Sequence, residues 1–243
     1  MNKKKVLLIG GTHGNESIGI DAINELKQQR NDFDWLFGNP QALKLQKRFY
    51  QQDLNRSAPG DTQSKIYEEA RAAEIINKSE SYQYVVDLHG TKKKTGIFLI
   101  ITNPKLVNWE LAARLAVKKI VFWPAISKSL QGPLSEYFKC GLEIECGCQN
   151  DPKIKRQLVI VLSGFLSERE KSNENWEDQL DQKEVFQVYG SMNKESSFSK
   201  KLIEFQETTI NNQTFYPLLV GSYEDVYCYK MKKVNWQQIA SLK

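Results

Sequence analysis

The chain has 243 residues, 40% of them hydrophobic and 26% charged, with a net charge of +5. That size suits one large α/β domain, or one domain with a small appendage, and the composition excludes a disordered chain. The mild charge is spread out and comes with no nucleic-acid motif, and no window reaches the ~18 apolar residues of a membrane span.

In chain order, Asn2-Lys3-Lys4-Lys5 before Val6-Leu7-Leu8-Ile9 superficially resembles a signal peptide. The apolar run is too short and stops at Gly10-Gly11-Thr12, so residues 5–10 read as a fully buried first strand. Ile18, Ile20, Ile23 and Leu26 sit at helical spacing and predict a helix from Glu16 to about Gln29. Trp35-Leu36-Phe37-Gly38 is a short strand closed by Asn39-Pro40, and an irregular stretch runs from Arg48 to Asp61. A helix from Gln63 to about Lys78 leads to a strand over 82–88 that ends at Asp87-Leu88-His89.

Further strands are expected at Ile97–Ile101 and at Lys119–Trp123, the latter ended by Pro124, with a helix over roughly 105–117 between them. Leu142-Glu143-Ile144-Glu145-Cys146 alternates, and 152–167 is helical. Strands separated by helices imply an α/β fold with a mostly parallel sheet flanked by helices, assigned to residues 1–170. Glu168 to Asn175 is polar and linker-like. Beyond it Val185–Tyr189 and Phe215–Val220, with turns such as Asn211-Asn212, suggest a small β-rich C-terminal domain over 171–243. The four cysteines (Cys140, Cys146, Cys148, Cys228) have neither zinc-finger spacing nor the density of a disulfide framework, so a reducing cytoplasm is the expected setting.

The chain has only two histidines. His13 lies in Gly10-Gly11-Thr12-His13-Gly14-Asn15-Glu16 and His89 in Asp87-Leu88-His89-Gly90, each at the carboxyl end of a strand, the edge where open α/β sheets bind ligands. With Glu16 they make a two-His, one-carboxylate set that leaves a fourth zinc position free for water. The competing reading is that of hydrogen-bonded structural histidines. A phosphate cradle at Gly10-Gly11-Thr12 is disfavoured, because G-x-G-x-x-G and the Walker Lys-Ser/Thr are both missing. A serine triad lacks its G-x-S-x-G.

Zinc hydrolysis also needs a carboxylate to move a proton, and the candidates are Glu143 and Glu145, which a strand would point to one face. The alternative for that pair is an exposed edge-strand face. Arg48, Asn55 and Arg56 share a loop-like region and offer donors for a carboxylate; a solvated loop is the alternative. Lys92-Lys93-Lys94 could attract anions at a pocket mouth, or be a solvated turn.

Gly11-Thr12-His13-Gly14-Asn15-Glu16, Asn39-Pro40, Asp53-Leu54-Asn55-Arg56, Asp87-Leu88-His89-Gly90 and Ile144-Glu145-Cys146-Gly147 together resemble the succinylglutamate desuccinylase/aspartoacylase family, within the wider zinc carboxypeptidase-like fold. The resemblance covers about residues 5–165. It implies one Zn2+ per chain, bound by His13, Glu16 and His89, and an amidohydrolase acting on a small anionic N-acyl amino acid. It further implies Glu145 as general base and then acid, Arg48 as oxyanion stabiliser, Asn55 and Arg56 on the substrate carboxylate, and Tyr223 contributed by a C-terminal domain that caps the site.

Members acting on acidic N-acyl amino acids carry a further arginine shortly before the catalytic glutamate. This chain has no arginine between Arg114 and Arg156, and Lys128 is a cationic candidate upstream of Glu145. The gap from Glu16 to His89 is also short for the family. A zinc carboxypeptidase or peptidoglycan-type amidase is the neighbouring alternative, and a non-catalytic metabolite-binding protein the more distant one. No nucleic-acid or membrane partner is expected, and the sequence leaves a homo-oligomer open.

Overall fold

Val6–Gly10 is buried at every position, which is why it appears as an aliphatic run without alternation. In a computed structural model describing residues 5–124, 132–172, 174–194 and 201–240, this segment is strand β1. The chain continues through α1 (Ile18–Gln29), β2 (Asp34–Phe37), α2 (Pro40–Leu45), α3 (Tyr67–Ser79), β3 (Tyr84–Thr91) and β4 (Gly96–Ile101). Next come α4 (Leu106–Arg114), β5 (Lys119–Phe122), β6 (Gly141–Gly147), α5 (Pro152–Glu168) and α6 (Trp176–Asp181). The last elements are β7 (Glu184–Asn193), β8 (Thr208–Ile210), β9 (Gln213–Leu218), β10 (Val226–Lys233) and α7 (Trp236–Ala240). Single 3-10 turns lie at Leu54–Arg56 and Leu134–Tyr137.

The strands form a 10-stranded sheet in the order β2-β1-β3-β6-β4-β5-β7-β10-β9-β8. β2, β1, β3 and β6 run parallel, direction reverses between β6 and β4, and β4, β5 and β7 run parallel to one another. β7, β10, β9 and β8 then pair antiparallel. The expected mostly parallel, mixed sheet is present. Because β7 pairs with β5, the ladder is continuous into the C-terminal segment, and Leu180, Val185, Trp236 and Ile239 join the main core.

Alternation splits the sheet into two faces. One presents Val6, Leu8, Val86, Leu88, Leu142, Ile144, Leu99 and Ile101 to a core shared with Ile23 and Leu26 of α1, Trp109 of α4 and Leu162 of α5. The other carries Leu7, Ile9 and Val85 in one apolar cluster, and Phe98, Ile100, Val121, Phe186 and Val188 in another. Between these clusters, in register on β3 and β6, lie Asp87 beside Glu143 and His89 beside Glu145.

Several local outcomes differ from expectation for identifiable reasons. β6 lies between β3 and β4, so Glu143 and Glu145 do not form an exposed edge-strand face. α3 starts at Tyr67 rather than near Gln63, because Asp61 Oδ1 and Ser64 Oγ accept the amides of Gln63 and Ile66 and hold the preceding residues in turns. α4 stops at Arg114 because Leu115 is extended. Asn39-Pro40, expected only to close a strand, also starts α2: Asn39 Oδ1 accepts from Ala42 N at 3.0 Å, and Pro40 takes a helical position where no N–H is needed. No helix among the described residues is long and apolar enough to cross a membrane.

Candidate active site

β1 ends in a turn that needs glycine. Gly11 has φ +71°, and a Cβ on Gly14 would collide with the backbone of Ala42. That close approach seats His13 and, through the bond from Glu16 N to His13 O (3.1 Å), returns Glu16 to the same side. β3 is the direct neighbour of β1 and brings His89 alongside, within the strand rather than at its last residue. Glu16 Oε1 lies 2.8 Å from His13 Nδ1, and Glu16 Oε2 lies 3.2 Å from His89 Nδ1 while accepting from Gly90 N at 3.0 Å. All three side chains are buried, and one donor atom from each falls within 4.8 Å of the others.

The outer nitrogens of both imidazoles face aspartates. His13 Nε2 is 3.0 Å from Asp53 Oδ1. His89 Nε2 and Asp87 Oδ2 sit 3.1 Å apart without the alignment of a hydrogen bond, while Asp87 Oδ1 accepts from Thr12 Oγ1 at 2.8 Å. Carboxylates behind the imidazoles, with two nitrogens and one carboxylate facing inward, form a donor set that suits zinc. Burial opposes protonation of both histidines, but Glu16 and Asp53 around His13, and Asp87 and Glu16 around His89, overcome it and hold both above the ordinary range. Burial likewise opposes ionised Glu16, yet His13 and His89 keep its carboxyl well below the usual carboxylate value.

Glu145 is the register partner of His89 and opens onto the same cavity of about 560 Å³. Burial and then the Glu16 carboxylate push it up to about 8. Arg48 donates through Nε and Nη2 to Asp53 Oδ2 at 3.1 and 2.9 Å, with Nη1 3.6 Å from Glu16 Oε1. Arg56, Lys92 and Lys93 line the cavity; Lys94 does not. Asn55 also lines it, but its side chain is engaged, with Nδ2 donating to Glu143 Oε1 (3.3 Å) and Oδ1 accepting from Leu134 N (3.0 Å). Tyr223 reaches the cavity from the segment between β9 and β10, and burial pushes its hydroxyl up to about 12. Lys128 lies outside the described residues.

All eight residues expected at the site, His13, Glu16, Arg48, Asn55, Arg56, His89, Glu145 and Tyr223, line this one cavity. Sequence reasoning missed the orienting positions of Asp53 and Asp87, although both stand inside the quoted motifs. It also missed Trp123 and Tyr229, which line the cavity but whose isolated aromatic side chains carry no motif.

Residues 2–158 match the family profile described as the succinylglutamate desuccinylase/aspartoacylase catalytic domain. A probable aspartoacylase from Prochlorococcus marinus subsp. pastoris is 33% identical over 192 residues, 72% of this chain and 65% of the relative. The chain therefore spans about two thirds of the length of the curated relatives it matches. In fold it is similar to murine aminoacylase 3 (TM-score 0.72, 18% identity, 95% of each chain). It is also similar to succinylglutamate desuccinylase from Chromobacterium violaceum (TM-score 0.74, 15% identity, 96% of this chain and 86% of that one).

Proposed function

The chain belongs to the succinylglutamate desuccinylase/aspartoacylase family, and from that premise we propose that it uses one zinc ion to hydrolyse the amide bond of a small N-acyl amino acid. The observation that carries this reading is the convergence of His13, Glu16 and His89 in one buried cluster, with Glu145 in register beside His89.

Zinc bound by that cluster supplies Lewis acidity toward the scissile carbonyl and makes water a stronger acid. Glu145 accepts the proton of the attacking water and delivers it to the departing nitrogen. A carboxyl held near neutrality suits both transfers. Arg48 presents donors at the edge of the cluster, where the tetrahedral oxyanion develops. Arg56, assisted by the remaining amide hydrogen of Asn55, holds the substrate carboxylate. Tyr223 closes the cavity from the C-terminal segment, the part assigned above to a small domain over 171–243. Asp53 and Asp87 keep the inward nitrogens of the imidazoles aimed at the metal.

The test is amine release, followed by NMR, from N-acyl amino acids by protein whose metal content is measured alongside. One zinc per chain with release from N-acyl amino acids is expected. Cleavage of peptides instead would move the protein to the carboxypeptidase alternative. Substoichiometric zinc with metabolite binding intact would make it a binding protein.

A further inference from the structure

The cavity lining carries both signs of charge. Its cations, Arg48, Arg56, Lys92 and Lys93, all come from the first 93 residues. The Leu134–Tyr137 turn and β6 contribute the carboxylates Glu136, Glu143 and Glu145 to the same cavity. Glu143 is only 5% exposed. Its Oε1 accepts from Ser135 Oγ at 2.8 Å and from Asn55 Nδ2 at 3.3 Å, both neutral donors. Among the described residues its second oxygen has no hydrogen bond and no cation forms an ion pair with the group.

A second feature of the cavity points the same way. Trp123 and Tyr229 line the cavity as an edge-to-face pair with centroids 4.5 Å apart. Aromatic faces attract ammonium groups, and Glu143 and Glu136 line the same cavity.

We propose that Glu143, with Glu136 and the Trp123–Tyr229 pair, forms a subsite for a positively charged group, so that the preferred substrate is an N-acyl α-amino acid with a basic side chain. This rests on the hydrolase reading above and narrows it. The substrate keeps its carboxylate toward Arg56 and places its side-chain ammonium against Glu143.

The test compares Nα-acetyl-lysine with Nα-acetyl-norleucine, which has similar length but no charge, and with Nα-acetyl-glutamate, on zinc-loaded full-length protein. A charge-assisted contact predicts kcat/KM about ten- to a hundredfold higher for the lysine compound than for the norleucine one. Glu143→Gln keeps the bonds from Ser135 and Asn55 and should bring that ratio close to one. Glu136→Gln, more exposed, should lower it several-fold, and stands in if Glu143→Gln fails to fold. Calorimetric binding of free lysine and norleucine to metal-free protein gives a readout independent of turnover, with lysine expected to bind tighter.

Hydrolysis with an acidic or uncharged preference would overturn the subsite, as would a lysine preference that survives both substitutions. No hydrolysis of any N-acyl amino acid would instead sink the reading beneath it. In that case the two free amino acids still decide the subsite: equal binding removes it, and tighter lysine binding keeps it.

Discussion

The two faces of the sheet are built from the same strands, yet one is apolar throughout and the other is broken by charge. On β6, Leu142, Ile144 and Cys146 enter the helix-covered core, while Glu143 and Glu145 turn the other way. On β3, Val86 and Leu88 join that core, while His89 faces the cavity with Asp87 behind its ring. Burial is nearly as deep on both faces, so depth alone does not distinguish core from site. What distinguishes them is that each polar group on the second face has a polar neighbour or faces the cavity. The contrast shows how one strand can carry stability and chemistry at adjacent positions with little interference.

Adjacent substitutions on β6 should separate the two roles. Glu145→Gln is expected to lower kcat by about 10²–10⁴, with zinc content and melting temperature retained; steady-state rates beside metal analysis check this, and loss of zinc would make Glu145 a ligand instead. One residue earlier, Ile144→Ala should cost roughly 2–5 kcal/mol of stability, read by urea unfolding, while zinc per folded chain stays the same. If Ile144→Ala removes zinc without lowering the unfolding midpoint, the division between faces is wrong.

Asp87→Asn tests whether the charged face is organised beyond its ligands. It should weaken zinc binding about 10–100-fold, measured by competition with a chelating dye, because the group behind His89 Nε2 loses its charge.

The smallest effect belongs to the rim of the apolar face. There Asp32 accepts from Arg30 Nε at 2.9 Å and from Arg169 Nη1 at 2.8 Å, tying the end of α1 to the end of α5. Hydrogen bonds from Arg30 hold the Asp32 carboxyl well below its ordinary value despite some burial. A depressed folded value means that its stabilisation is complete above the ordinary Asp range and is lost as pH falls below about 4. Asp32→Asn should therefore destabilise by about 1 kcal/mol or less at neutral pH, and thermal melts should show the gap to the parent closing in acid.

How much of this could be read in advance depended on whether a signal was local. Val6-Leu7-Leu8-Ile9 before a glycine turn, and Asp87 and His89 at period two in an otherwise apolar strand, mark strand, turn and site within a few residues. The roles of Asp53 and Asp87 were not legible, because which nitrogen of an imidazole turns outward depends on the fold: Asp53 meets His13 across 40 positions. β10 escaped notice because Val226–Lys233 places lysines where an alternating strand would show apolar side chains. The central place of β6 could not be read from its own sequence, since strand order is set by partners distant in the chain.

That central place also divides the site by tempo. His89 and Glu145 stand on strands hydrogen-bonded along both edges, whereas Arg48 and Tyr223 come from segments outside helix and strand. Interior strands exchange their amide protons only on near-global opening, while loops open at much lower free energy. The proposed proton-transfer group and one proposed zinc ligand therefore stand on a still floor, and on that proposal the openings that admit a substrate are expected in the Arg48 and Tyr223 segments.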